Sequence, residues 1–280
     1  MSESLLRVDD VVVDFPGKRW FAKPFRALKG VSIDIAAGET LGLVGESGSG
    51  KTTLGRAVLG LAPVAAGSVR FDGEDITHAG ARRRRELSRD IQVVFQDPYS
   101  SLNPSMTIGA ILAEPLTAAG VARSTARDRI RELLDQVGLP GDAIDRLPRH
   151  FSGGQRQRVA IARALALHPK LIVCDEPVSA LDLSTQARVL DLLIDIQERS
   201  GVAYLFVSHD LSVVRHISHR VAVMLHGEIV EYGDGAQVTS DPAHPYTRRL
   251  LMAAPVPDPG RQAVRRQERA AFLATEVTGE

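Results

Sequence analysis

Apolar and polar positions along this chain switch repeatedly between a period of two and a period near 3.6, the signatures of strands and helices. Residues 5–13 mix apolar and charged positions in the manner of an edge strand, and Val31-Ser32-Ile33-Asp34-Ile35 alternates as a half-buried strand should. The short apolar run Leu41-Gly42-Leu43-Val44 predicts a strand, followed by a helix from Thr52 to Leu61 that ends near Gly60 and Pro63. Residues 67–76 read as a further strand element, and Ile91 to Phe95 as a strand ended by Gln96-Asp97-Pro98. Residues 107–147 are mostly helical in pattern, with Ile130, Leu133, Leu134 and Val137 forming one apolar stripe. Another helix runs from Gly154 to Leu167 and stops before Pro169. Leu171-Ile172-Val173-Cys174 is continuously apolar, as a parallel strand buried on both faces is. A helix over 184–199, a buried strand from Ala203 to Val207, and a hairpin around His226-Gly227 complete the pattern. Strands alternating with helices predict an α/β fold with a mainly parallel sheet, and the 107–147 stretch a helical subdomain inserted in it. Residues 254–260 are proline-rich and extended in character, and 261–280 read as a short exposed helix or a disordered tail. No internal repeat is found.

Composition narrows the picture mainly by exclusion. The 280 residues are 44% hydrophobic, enough for a sizeable core, and Lys+Arg and Asp+Glu both number 34. This balance argues against nucleic acid as the main partner. Arg82 to Arg85 form a local basic run, for which a solvated helix face is the plainer reading. A single cysteine, Cys174, excludes an internal disulfide and a multi-cysteine metal or iron–sulfur site. The N-terminal MSESLLRVDD lacks the apolar core of a signal peptide, and no run approaches the roughly 18 apolar residues of a spanning helix. The expectation is a cytosolic chain whose link to a membrane passes through a partner.

Candidate chemistry gathers at two glycine-rich segments. Gly45-Glu46-Ser47-Gly48-Ser49-Gly50-Lys51-Thr52-Thr53 follows a strand and opens a helix, the context a phosphate-cradling P-loop needs. Its backbone N–H groups at 47–52 would wrap a β-phosphate, Lys51 would bridge β- and γ-phosphates, and the Thr52 hydroxyl would bind Mg²⁺. Phe151-Ser152-Gly153-Gly154-Gln155 also opens a helix and is a second anion site, which suggests an ATP held between two copies. Asp175 and Glu176 end an apolar strand, where an α/β sheet presents ligands, so Asp175 is a Mg²⁺ candidate and Glu176 a base for the attacking water. His209 follows the next strand and Gln96 ends another, placing both over the same site.

Taken together, these residues resemble the nucleotide-binding subunit of an ABC transporter. Gly45–Thr52 is similar to the Walker A loop, Gln96 to the Q-loop and Ser152-Gly153-Gly154-Gln155 to the signature, with Phe151 where leucine is commonest. Leu171–Asp175 is similar to Walker B, Glu176 to its catalytic glutamate, Ser179-Ala180-Leu181-Asp182 to the D-loop and His209 to the switch histidine. The resemblance implies an ATP-binding domain over 1–255. Within it lie a P-loop NTPase core, an N-terminal antiparallel β subdomain and an inserted α-helical subdomain at about 97–165. It also implies that an aromatic near the first strand stacks on adenine. Phe15 is the first choice, Trp20 and Phe21 are alternatives, and a purely structural role for Phe15 stays open.

Phe95-Gln96-Asp97-Pro98-Tyr99-Ser100-Ser101-Leu102-Asn103-Pro104 and His244-Pro245-Tyr246-Thr247 resemble the oligopeptide/dipeptide importer branch, with 256–280 as its short C-terminal extension. Many members carry cysteines beyond this point. None follows Cys174 here, so no iron–sulfur cluster is expected. The resemblance implies ATP and Mg²⁺ as cofactors. It implies a second ATPase subunit, related or identical, two integral membrane permeases and, indirectly, an extracytoplasmic solute-binding protein. It places the chain at the cytoplasmic face of the membrane. A non-transport ATPase of the same type, as in a carbon–phosphorus lyase complex, is the alternative. A DNA-repair ATPase would need a long coiled coil between P-loop and signature, and a ribosome-acting member a second set of motifs.

Overall fold

The structure, a computed structural model, describes residues 4–17 and 24–253. The first elements are β1 (Leu6–Phe15), β2 (Phe25–Ile35), β3 (Thr40–Val44) and α1 (Lys51–Val58). Next come β4 (Ala66–Phe71), β5 (Glu74–Asp75), α2 (Ala81–Leu87) and β6 (Ile91–Val94). Helices α3 (Pro98–Ser101), α4 (Ile108–Ala118), α5 (Arg123–Gln136) and α6 (Gly153–Leu165) follow. The remainder is β7 (Leu171–Asp175), α7 (Leu183–Ser200), β8 (Ala203–Ser208), α8 (Leu211–Ile217), β9 (Arg220–Leu225), β10 (Glu228–Asp234), α9 (Gly235–Ser240) and α10 (Pro245–Ala253).

Two sheets form. An antiparallel sheet has the order β2-β1-β4-β5, and a mixed sheet the order β10-β9-β3-β8-β7-β6. In the mixed sheet every pairing from β6 to β9 is parallel, and only the β9–β10 hairpin is antiparallel. His226 and Gly227 both take positive φ, 48° and 86°, as a two-residue type I′ turn requires. The expected α/β class, antiparallel N-terminal sheet and mainly parallel core are all present.

The apolar runs are explained by what covers each face. Leu171, Val173, Ala203, Leu205 and Val207 join a core with α1 and the antiparallel sheet. Their alternates Ile172, Cys174, Tyr204 and Phe206 join a second core with α4–α7. A strand with both faces covered has no polar phase, so β7 and β8 read as unbroken apolar segments. The stripe Ile130, Leu133, Leu134, Val137 faces that second core, each residue buried. A third core joins Val44, Val221 and Val223 to α8–α10.

Three expectations need correction. Residues 5–13 are not an edge: β1 lies inside its sheet, paired with β2 and β4, and none of its charged positions is buried. The helix after the P-loop ends at Val58, because the N–H groups of Leu61 and Ala62 fold back on the Arg56 carbonyl and Gly60 takes positive φ. Of the run Arg82–Arg85, Arg84 is not on a solvated face. Its guanidinium reaches the carbonyls of Val58 and Ile76 and packs over Gly60. The expected elements at 254–280 lie outside the described residues.

Candidate active site

The C-terminal ends of β3, β7 and β8 meet at one edge of the mixed sheet, and each delivers part of the expected constellation. β3 runs into the glycine loop. A Cβ on Gly45 would stand 2.2 Å from the Met224 carbonyl oxygen, so no larger residue fits where this strand turns. Lys51, 4% exposed, donates from Nζ to the carbonyls of Gly45 (2.8 Å) and Glu46 (2.9 Å). Burial pushes its ammonium below the ordinary lysine range, against the pull of Glu176, Asp175 and Glu46. Glu46, Ser47 and Gly48 are exposed at the loop's crown, while Gly45 and Ser49 are buried.

The Thr52 hydroxyl donates to Asp175 Oδ1 at 3.0 Å. Burial pushes the Asp175 carboxyl up, the Thr52 bond opposes this, and the neighbouring Glu176 adds to it. Glu176 has φ 49°, left-handed for a non-glycine, a conformation that costs about 1–3 kcal/mol and needs surrounding support. Support comes from its N–H to the Val207 carbonyl (3.0 Å) and from the Ser179 hydroxyl to its own carbonyl (3.0 Å). Two groups converge on the same oxygen, Oε2: Gln96 Nε2 donates at 3.3 Å, and His209 Nδ1 lies at 3.0 Å.

The second glycine segment caps α6. Ser152 Oγ accepts from the Gln155 N–H, and Gln155 Oε1 accepts from the Ser152 N–H, a complete capping box. The Ser152 and Gln155 side chains are therefore engaged in the cap, leaving the exposed helix start to present its own N–H groups. Gly154 is where α6 meets α7, since a Cβ there would lie 2.2 Å from Thr185 Cγ2. Among the described residues no hydrogen bond joins 152–155 to the glycine loop 45–53. The neighbours of Gly153 are instead Leu181 and Tyr99. In the segment 179–182, Ser179 bonds Glu176, Ala180 is exposed, Leu181 packs on the helical core and Asp182 caps α7 at Thr185.

Phe15 ends β1 half-buried on the core of the antiparallel sheet and pairs across it with Phe25, which is 66% exposed. Trp20 and Phe21 lie outside the described residues. Cys174 is buried and unpaired in β7. Among the described residues no cluster of three His, Cys, Asp or Glu gathers for a metal, and no helix is long and apolar enough to cross a membrane.

Sequence reasoning missed three contacts around this site. The Tyr246 hydroxyl accepts from the Glu46 N–H at 3.0 Å, Gly227 donates to the Ser49 carbonyl at 2.8 Å, and Arg156 stacks on Tyr99 at 4.1 Å. The sequence singled out Tyr246, Gly227 and Tyr99 within their motifs, but none of those motifs carried a hint of these partners.

Comparison with known proteins agrees with this geometry. Residues 28–179 match the model of the ABC transporter family, and 230–278 match the oligopeptide/dipeptide transporter C-terminal region. The chain is 54% identical over 237 residues to the oligopeptide transport ATP-binding protein OppD of Mycobacterium bovis, covering 85% of this chain but 39% of that protein. It is 50% identical over 263 residues to the oligopeptide transport ATP-binding protein OppF of Salmonella typhimurium, covering 91% of this chain and 79% of that protein. Among solved structures, it is similar to an ATP-binding cassette in a dimeric post-hydrolysis state bound to ADP and Pi. That match has a TM-score of 0.73 at 30% identity and covers 82% of this chain and 98% of that one. The chain belongs to the ABC transporter family.

Proposed function

We propose that this chain is the ATP-hydrolysing subunit of an ABC importer for peptides or a similar small solute. It works as one half of an ATPase dimer, paired with itself or a related chain, and sits peripherally at the cytoplasmic face of the membrane on two permease subunits. The observation that carries the hydrolytic part is the convergence of Gln96 and His209 on Glu176 Oε2, beside the Thr52–Asp175 pair. The names of the oligopeptide-transport relatives and the match of residues 230–278 support the solute class.

Each residue then has a physical task. N–H groups of residues 47–52 and the start of α1 receive the β-phosphate. Lys51 exchanges its bonds to the Gly45 and Glu46 carbonyls for phosphate oxygens, a move its depressed pKa favours because the buried ammonium gains an anionic partner. Thr52 Oγ1 and Asp175 Oδ1 are adjacent hard oxygens. They fit Mg²⁺, which takes few protein ligands and leaves its other positions to water and phosphate. Gln96, whose side chain already contacts Glu176, would supply a further oxygen ligand to that ion. When bound, the ion supplies charge neutralisation for the phosphates. Glu176 orients and deprotonates the attacking water, held in place by its strained backbone and by the Gln96 and His209 contacts. His209 also faces the γ-phosphate. Ser152, Gly153, Gly154 and Gln155 complete the site of the facing subunit, the start of α6 pointing at its γ-phosphate.

Glu176→Gln should keep ATP binding, lower hydrolysis by about 10²–10⁴-fold, and accumulate an ATP-bound dimer on gel filtration. Unchanged turnover would remove Glu176 from the base role. Co-purification of the native chain with membrane permeases is expected, whereas capture of soluble lyase subunits would overturn the importer reading.

A further inference from the structure

The motif His244-Pro245-Tyr246-Thr247 has no task in the hydrolytic site, yet the structure brings it to the P-loop. Tyr246 is 3% exposed, and its ring sits in the core formed by Val214, Val221, Val223, Val238 and Val44. Val44 is the last residue of β3. Two residues further on, the Glu46 N–H donates to the Tyr246 hydroxyl at 3.0 Å. One side chain therefore grips both the strand and the loop that leaves it, 200 positions away in sequence. Burial raises the phenol's pKa, so the group remains a neutral hydroxyl able to accept that bond.

The segment bearing Tyr246 is itself fastened. The N–H groups of Ala243 and His244 donate to the Glu231 carboxylate of β10, and His244 Nδ1 accepts from the Tyr246 N–H. The opposite side of the loop is held from the same C-terminal part of the chain, by Gly227 N–H on the Ser49 carbonyl. The Glu46 carbonyl accepts from Lys51 Nζ and from Ser49 N–H. Of these bonds, the Lys51 bond must break when the ammonium turns to phosphate. The Tyr246 bond need not.

We propose that Tyr246 is a positioning residue of the nucleotide site: it holds the junction of β3 and the P-loop in the shape that receives phosphate while Lys51 changes partners. This rests on the ATPase reading above. It makes the C-terminal region, α10 included, part of the scaffold of the ATP site. A loop already shaped for its ligand gives up less conformational freedom on binding, so the effect falls on affinity rather than on the chemical step.

Two variants of the full chain test this. Tyr246→Phe keeps the ring and removes the hydroxyl; Val238→Ala weakens the same core and leaves the hydroxyl. Tyr246→Phe should raise the Kd and KM for ATP by about three- to tenfold, the range of a single hydrogen bond, with kcat at saturating ATP retained. It should also speed hydrogen exchange at the Glu46 amide, a readout that needs no nucleotide. Val238→Ala should lower the melting temperature without changing the Kd. Wild-type affinity and wild-type Glu46 protection in Tyr246→Phe would overturn the proposal, as would an equal loss of affinity in Val238→Ala. Failure of the unaltered protein to bind ATP would instead overturn the ATPase reading, and the Glu46 exchange result would still decide the structural half.

Discussion

Asp175 carries a raised pKa because burial outweighs the bond it accepts from Thr52, and Glu176 next to it adds like charge. The native state therefore binds a proton on Asp175 more readily than the unfolded chain does. Stability is favoured below the unfolded carboxylate value and is lost as pH rises through the higher folded value. At neutral pH the ionised group works against folding. Asp175→Asn keeps an acceptor for the Thr52 hydroxyl and removes the charge. It should raise the melting temperature at pH 7, with the gain shrinking as pH falls through the raised folded value and vanishing below the ordinary aspartate range, while ATP hydrolysis collapses. A thermal scan against pH checks this, and a lower melting temperature at pH 7 would show that the charge is better compensated than its burial implies. Lys51, likewise buried, carries a similar cost in its charged form but with the opposite pH dependence, since its lowered pKa means stability is lost as pH falls through the folded value, and Lys51→Ala should weaken ATP binding in a direct titration. These costs are intelligible as groups set for a ligand rather than for the fold.

Among elements, α6 is the hub between the helical insertion and the site. Two of its three arginines, Arg156 and Arg163, lie seven positions apart on one face, and both reach the turn after Gln96. Arg156 stacks on Tyr99 and donates to the Phe151 carbonyl, while Arg163 donates to the Ser101 carbonyl at 2.6 Å. Helix α3 is thereby fastened to the helix that bears Ser152–Gln155. The two fastenings differ in worth. Arg163 is the more buried and its loss leaves a carbonyl without its donor, so Arg163→Met should cost about 1–3 kcal/mol in urea unfolding. Tyr99 is exposed, so Tyr99→Ala should cost about 0.5–1 kcal/mol. The reverse order would mean that the surface stack, not the buried donor, holds α3. The pattern of the chain announced α5 and α6 as helices with their buried stripes. It could not announce this fastening, because a period reports which face is covered and not by what.

For the whole molecule, the proposed unit is a pair of chains sharing each ATP, the P-loop of one facing α6 of the other. Lys51→Ala and Gly153→Asp should each be inactive alone. Mixed, they should regain part of the hydrolysis, since one of the two shared sites then has an intact P-loop facing an intact signature. No recovery would remove the self-paired dimer. The sequence by itself determined the local pieces: the P-loop between strand and helix, the carboxylate pair Asp175-Glu176 at a strand end, the hairpin at His226-Gly227 and the helical stripe at Ile130–Val137. Each is written in neighbouring residues, as a turn, a cap or a repeat of burial. Only the tertiary structure decided that β1 is interior rather than an edge, that Arg84 turns inward, that Gln96 and His209 meet on one oxygen of Glu176, and that Tyr246 reaches Glu46. These depend on which faces pack together across long stretches of chain. Burial and the satisfaction of buried backbone groups select that arrangement among the many that the same local pattern allows.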